Sequence, residues 1–365
     1  MAAEVGNHGC RKALTPNIPC PIDSAMPSEK KKATGPVVAV TGASEFLGQS
    51  LVEYLQRGTW ASHICVIDVR DPPCATGPRT SSHPIDLTQP EAGLEVVKVF
   101  RQCGVDILVH LAFISHPIHD VDYAHELQVI GTMHLLNAAA AVRLKKIVIL
   151  GDTKVYGARA DNPALLAENS PLRGASESPL VADLVEVEKQ LARFASRHRS
   201  ITCTTLRMAN ILSRSVDGFI PRLLSKPVVP TVMGFDPPMQ FLHHADAFRA
   251  IVTAVLKDHP GVFNIVPDGT VSLSAAIAAG GRLALPLPLC AWRTGGSFLW
   301  SLQAIDMPPE LVDYLRFPFL ADGDTARRKM GFEPEFSSLD TVFAFYGRKR
   351  QPGTAAAGET NGGES

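Results

Sequence analysis

Gly42, Glu45 and Gly48 stand at the spacing of a turn built to hold phosphate. They lie in Val37-Val38-Ala39-Val40-Thr41-Gly42-Ala43-Ser44-Glu45-Phe46-Leu47-Gly48, which runs on into Leu51, Val52 and Leu55. The apolar period changes there from 2 to 3.6, so the stretch reads as buried strand, tight turn and helix. A helix starting at a strand tip aims its free N–H groups and positive dipole end at one spot, which suits a phosphate. Gly42, Ser44, Glu45, Phe46, Leu47 and Gly48 would form that turn. At position 45, however, glutamate replaces the middle glycine of the dinucleotide pattern. Its carboxylate either brings bulk and like charge towards a phosphate or turns to solvent and favours the helix N-terminus. Asp68 ends a second apolar run 20 residues beyond Gly48, where a carboxylate takes the adenine-ribose hydroxyls of NAD. It would repel the 2′-phosphate of NADP, which favours NAD despite the nearby Arg70.

Other groups have acid–base potential. Asp152 closes an apolar run; beside an apolar pocket its carboxyl would be driven upward in pKa and serve as a base, or else it caps the following turn with Lys154 in solvent. A tyrosine without a lysine neighbour, as at Tyr156, titrates near 10. His110, inside an apolar run, reads as a packed strand residue.

The elements that must position these groups alternate. After the opening unit, strands are expected at 62–70, 85–87, 105–112 and 145–150, with helices at 91–103, 122–143 and 179–197 and a further strand at 201–211. Repeated βα units give an α/β, doubly wound parallel sheet of Rossmann type, with the strand tips along one edge. Residues 36–212 would form this domain, and 213–346 a small mixed region on the substrate side, partly interleaved with it. Helices are expected there at 246–257, 273–279 and 321–330. Residues 1–35 and 347–365 read as disordered tails.

Composition narrows the function. With 45% hydrophobic and 19% charged residues and a net charge of −1, no global field recruits nucleic acid or an anionic membrane. The Lys30-Lys31-Lys32 run reads as a solvated linker. Seven scattered cysteines without Cys-x-x-Cys spacing argue for reduced thiols in the cytoplasm, and against a metal or a disulfide frame. The apolar window 275–292 is broken by Gly280, Gly281, Arg282, Pro286 and Pro288, so it is no membrane span.

The chain resembles the extended short-chain dehydrogenase/reductases, the NAD-dependent epimerase/dehydratase family, over roughly residues 36–345. The resemblance rests on Thr41-Gly42 with Gly48, Asp68, Asp86-Leu87, Val109-His110-Leu111-Ala112 and Gly131-Thr132. It continues through Val155-Tyr156-Gly157, Leu206-Arg207-x-x-Asn210, Phe241-Leu242-His243-His244-Ala245-Asp246, Gly261-Val262-Phe263-Asn264 and Met330-Gly331-Phe332-x-Pro334. It implies that Asp86 and Leu87 flank the adenine, that Leu111 and Ala112 back the cofactor, and that helices 122–143 and 179–197 could pair two copies. Asp246 reads as a helix N-cap, with Phe241 and Leu242 as core.

The family's chemistry uses a tyrosine, a lysine four residues on, a serine or threonine, and an asparagine. The positions carried over hold Leu180, Leu184, Asp152 and Gln128. No Tyr-x-x-x-Lys occurs anywhere, and Lys189 lies about 140° round the helix from Leu184. Three readings follow. The chain is a catalytically silent, NAD(H)-binding sensor or partner subunit, an oxidoreductase or epimerase/dehydratase rerouted through Asp152, or a cofactor-free scaffold. A small-molecule ligand would meet residues 211–320, where Arg222 reads as exposed and unpaired.

Overall fold

In the computed structural model, residues 35–114, 116–302 and 308–348 are described. The expected tails and the Lys30–Lys32 run lie outside them, save Gly35, Gly347 and Arg348. Seven strands form one sheet: β1 (Val37–Thr41), β2 (His63–Asp68), β3 (Thr80–Pro84), β4 (Ile107–His110), β5 (Lys146–Asp152), β6 (Thr202–Met208) and β7 (Gly261–Ile265). Their spatial order is β7-β6-β5-β4-β1-β2-β3, and every pairing is parallel. The order reverses between β1 and β4, the place where open α/β sheets bind ligands. The doubly wound expectation is met.

Both faces are covered. Helix α1 (Phe46–Arg57) buries Leu47, Leu51, Val52 and Leu55 in the same core as α7 (His244–Leu256). Helices α2 (Ala92–Cys103), α4 (Gly131–Val142) and α5 (Pro179–Arg197) close the other face on Cys65, Ile67, Leu108 and Ile149. Between α3 (Val121–His125) and α4 the chain makes a π-turn, Glu126–Ile130, where one unbroken helix was expected. The apolar periodicity tolerates the widened turn, so the sequence does not announce it. Helix α6 (Phe219–Ser225) starts the substrate-side region. That region is not separate, because it returns β7 to the main sheet beside β6.

Three local expectations are corrected. The third strand is Thr80–Pro84, not 85–87; it carries no large hydrophobic side chain, so hydrophobic patterning could not find it. At 321–330 the helix is a short π-turn, Ala326–Met330. Asp246 is not the N-cap of α7: His243 fills that position, with Nδ1 accepting from the Ala245 N–H. The fully buried Asp246 carboxylate instead accepts from the backbone N–H groups of Glu335 and Phe336, tying α7 to the C-terminal segment. Phe241 and Leu242 are core, as expected.

Several family-motif residues form one buried polar network rather than a reactive site. Arg207 grips the Glu188 carboxylate through Nε and Nη2, the closest contact 2.6 Å, and donates through Nη1 to the Tyr156 hydroxyl at 2.7 Å. The Tyr156 hydroxyl donates to Asn264 Oδ1 at 2.7 Å, and burial pushes its pKa up. Tyr156 is therefore a strut. His110 is fully enclosed between the Thr41 and Thr132 hydroxyls, and burial lowers its pKa to about 3, so it stays neutral. Among the described residues no helix is long and apolar enough to cross a membrane.

Candidate active site

Two clefts meet outside the C-terminal tips of β1, β4 and β5. The first is lined by Gly42, Ser44, Glu45, Asp68, Leu87, Ala112 and their neighbours and has a cavity volume of about 280 Å³. The second, with a cavity volume of about 100 Å³, is lined by Asp152, Lys154, Leu180, Leu184, Asn210, Phe219 and others. Phe113, Ile114 and Asp217 line both, so the clefts abut.

The turn after β1 demands its glycines. Gly42 has φ +75°, and a Cβ there would lie 2.7 Å from the backbone of Leu111 and Ala112. At Gly48 a Cβ would lie 2.1 Å from the Gly42 carbonyl oxygen, so the first turn of α1 packs directly on the loop. Only glycine allows both approaches. At the tip of β2, Asp68 accepts from the Ser44 N–H at 2.9 Å and from the Val69 N–H at 2.8 Å. The loop and the acid are thereby held side by side, as a ribose–phosphate unit requires. Arg70 is exposed beyond the strand tip.

Of the other residues expected at the cofactor, Leu87 and Ala112 line this cleft. Phe46, Leu47, Gly48, Asp86 and Leu111 do not form its wall. Phe46 rests edge-on against His244, Leu47 and Leu111 are buried, and Asp86 is taken up by the N–H and hydroxyl of Thr88.

Glu45 occupies the N-cap position of α1 in an extended conformation, yet its side chain makes no cap hydrogen bond. It lines the cleft with Asp68 and Asp217. Its partial burial in the cleft wall, and the charges of Asp217 and Asp68, push its pKa up. Asp217 is held below the usual carboxylate range chiefly by Arg222, which binds it at 2.5–2.6 Å. Arg222 is thus paired rather than free, and His116 stands 3.4 Å from the same carboxylate.

The second cleft brings together three of the four positions expected to carry acid–base chemistry. Leu180 and Leu184 project from the first two turns of α5, which Ser178 caps by accepting from the Val181 N–H. Asp152 caps the following 3-10 turn through the Lys154 N–H at 2.7 Å. Its other oxygen receives the Lys154 ammonium at 2.6 Å. Lys154 is buried, not solvated as its place in the sequence implied. The fourth position, Gln128, lies fully buried on the π-turn and lines neither cleft. Sequence reasoning gave no role to Lys154 or Asp217; a lysine two residues past a strand-tip acid was the available signal for the first.

The fold and the paired clefts define a Rossmann-type nucleotide-binding protein. The family profile described as the NAD dependent epimerase/dehydratase family matches residues 38–266, and the chain belongs to that family. An uncharacterized protein of Mycobacterium tuberculosis (strain H37Rv) is 29% identical over 323 residues, covering 85% of this chain and 83% of the relative. The UDP-glucose 4-epimerase of Thermotoga maritima, solved with UDP-glucose, superposes with a TM-score of 0.66 at 18% identity, covering 85% of this chain and 97% of its own. The dTDP-glucose 4,6-dehydratase of Bacillus anthracis, solved with NAD, gives 0.65 at 15% identity, covering 86% and 96%.

Proposed function

We propose that this protein binds NAD(H) in the first cleft and does not turn over substrate by the tyrosine–lysine route, acting as a dinucleotide-dependent sensor or partner subunit. The observation that carries this reading is the wall of the second cleft, where Leu180 and Leu184 replace both groups that would move the hydroxyl proton. Leucine neither donates nor accepts. Gly42, Gly48 and Asp68 support dinucleotide binding, because the two glycines leave room no side chain could leave and the acid stands beside the loop. Asp68 favours NAD over NADP by repelling a 2′-phosphate. When bound, NAD supplies a hydride acceptor; the residues that would exchange the matching proton are the ones replaced.

Glu45 works against the phosphates, which makes the binding test specific. The carboxylate is exposed to solvent, so its repulsion amounts to about 1 kcal/mol, roughly a fivefold change in Kd. Its pKa is raised, so protonation removes that charge as the pH falls from neutral towards the carboxylate range. NAD should therefore bind more tightly at lower pH, and Glu45→Gln should bind more tightly at pH 7 with that dependence flattened. Calorimetric titration of both proteins with NAD checks this. Equal affinities, flat with pH, would show that the carboxylate turns away from the phosphates.

A second reading draws on the Lys154–Asp152 pair, which puts an ammonium and a carboxylate on the wall of the second cleft. Such a pair can bind a substrate oxygen and exchange its proton, so rerouted catalysis would depend on Asp152. Nucleotide sugars, with which related folds have been solved, are the first substrates to try. A nicotinamide-dependent activity that Asp152→Asn abolishes would favour this second reading.

A further inference from the structure

Cys65, His83 and Cys103 are 18 to 38 residues apart in the chain and carry no ligand spacing, which is why the sequence argued against a metal. The fold brings them together. Cys65 is buried on β2, His83 lies on the edge strand β3, and Cys103 ends α2. Their sulfur and nitrogen atoms all lie within 4.8 Å of one another. The Cys65 and Cys103 sulfurs are 3.6 Å apart, and the Cys103 sulfur is 3.7 Å from His83 Nε2. Around one tetrahedral zinc, with bonds of about 2.3 Å to sulfur and 2.0–2.1 Å to nitrogen, the edges would be ~3.8 Å and ~3.5 Å. These two separations match the tetrahedral edges, and the third, Cys65 to His83, lies within 4.8 Å. A disulfide, by contrast, needs the two sulfurs at ~2.05 Å.

His63 Nε2 and His83 Nε2 lie 2.9 and 3.0 Å from the Ser81 hydroxyl, but His63 falls outside the 4.8 Å group, which leaves the fourth position to water. The chain also has use for a clamp here. β3 is the outermost strand, pairs only with β2 among the described residues, and reads Thr-Ser-Ser-His-Pro, so no large hydrophobic side chain anchors it to the core.

We infer that Cys65, Cys103 and His83, with water completing the shell, form a tetrahedral site for a thiolate-seeking divalent ion of the zinc class that fastens β3 and α2 to β2. Two thiolates and imidazole select such ions over magnesium or calcium. Binding displaces the two thiol protons, so uptake weakens as the pH falls. Asp68 stands three residues further along β2, ~10 Å away, so the site lies apart from the dinucleotide cleft.

The test is titration of the fully reduced, full-length protein with Co2+ as a spectroscopic probe, followed by Zn2+. The expected result is about one Co2+ per chain, with a thiolate-to-cobalt charge-transfer band and the intense visible bands of a tetrahedral centre, both lost on adding Zn2+. Cys103→Ser should abolish the charge-transfer signal of its own thiolate and reduce affinity at least tenfold, and His83→Ala should weaken binding while keeping some thiolate band. His83 and Cys103 are only partly buried, unlike Cys65, so these variants keep the fold even if Cys65→Ser does not. Only weak, octahedral-type bands, or a tetrahedral spectrum unchanged in both variants, would overturn the site. So would a reduced protein that takes up no metal but readily forms a Cys65–Cys103 disulfide.

Discussion

Replacing Arg207 by alanine is expected to cost about 3–5 kcal/mol of stability, the usual consequence of leaving a buried charge unpaired. Glu188 has its carboxylate enclosed between α5 and β6, and Arg207 donates three hydrogen bonds to it. Removing the guanidinium also strips a donor from Tyr156 and from the Glu168 carbonyl. Burial already raises the Glu188 pKa against the pull of Arg207, and without that pull it rises further. The folded variant then holds a proton that the unfolded chain has released. Its stability should therefore fall as pH rises from the unfolded glutamate value of about 4.3 through the raised folded value, and the deficit should shrink on acidification. Urea denaturation across that range measures this, with the midpoint shifting and the slope unchanged. Pairing Arg207→Met with Glu188→Leu should recover most of the loss. A single variant as stable as the parent would show that the pair is not the buried strut it is described to be.

The second large effect falls on the phosphate turn. In Gly48→Ala the new methyl would stand 2.1 Å from the Gly42 carbonyl oxygen and 2.9 Å from the Ala43 Cα. Neither contact is a flexible side-chain end that can swing away, so loop and helix must part. Overpacking of this kind costs about 1–3 kcal/mol, and a loop displaced by that strain should lose at least roughly tenfold in NAD affinity. Fluorescence titration with NADH against the parent protein checks it. Unchanged binding would mean that the dinucleotide does not rest on this turn.

The parts of the fold that announced themselves were those with strong apolar periodicity. β1, β2, β4, β5 and α5 each bury an uninterrupted run or stripe, so their positions followed from residue type alone. β3 escaped because an edge strand of serine, threonine and histidine has no hydrophobic period to read. The π-turn at Glu126–Ile130 escaped because one widened turn leaves the apolar stripe of a long helix nearly intact. At the site, the glycines and Asp68 were legible because each has a fixed offset from the strand tip. Lys154, Arg222 and the Cys65–His83–Cys103 cluster were not, because their partners are set by where the chain doubles back. Spacing along the chain does not report spacing across β2, β3 and α2.

The central claim is that a dinucleotide frame survives around a cleft stripped of its tyrosine and lysine. The most direct test is to mix the protein with NAD and a panel of UDP- and dTDP-sugars, following NADH absorbance and the sugar products together in the parent and in Asp152→Asn. The account predicts bound NAD, no NADH and unaltered sugars in both proteins. Epimerised, dehydrated or oxidised sugar formed by the parent and lost in Asp152→Asn would contradict it.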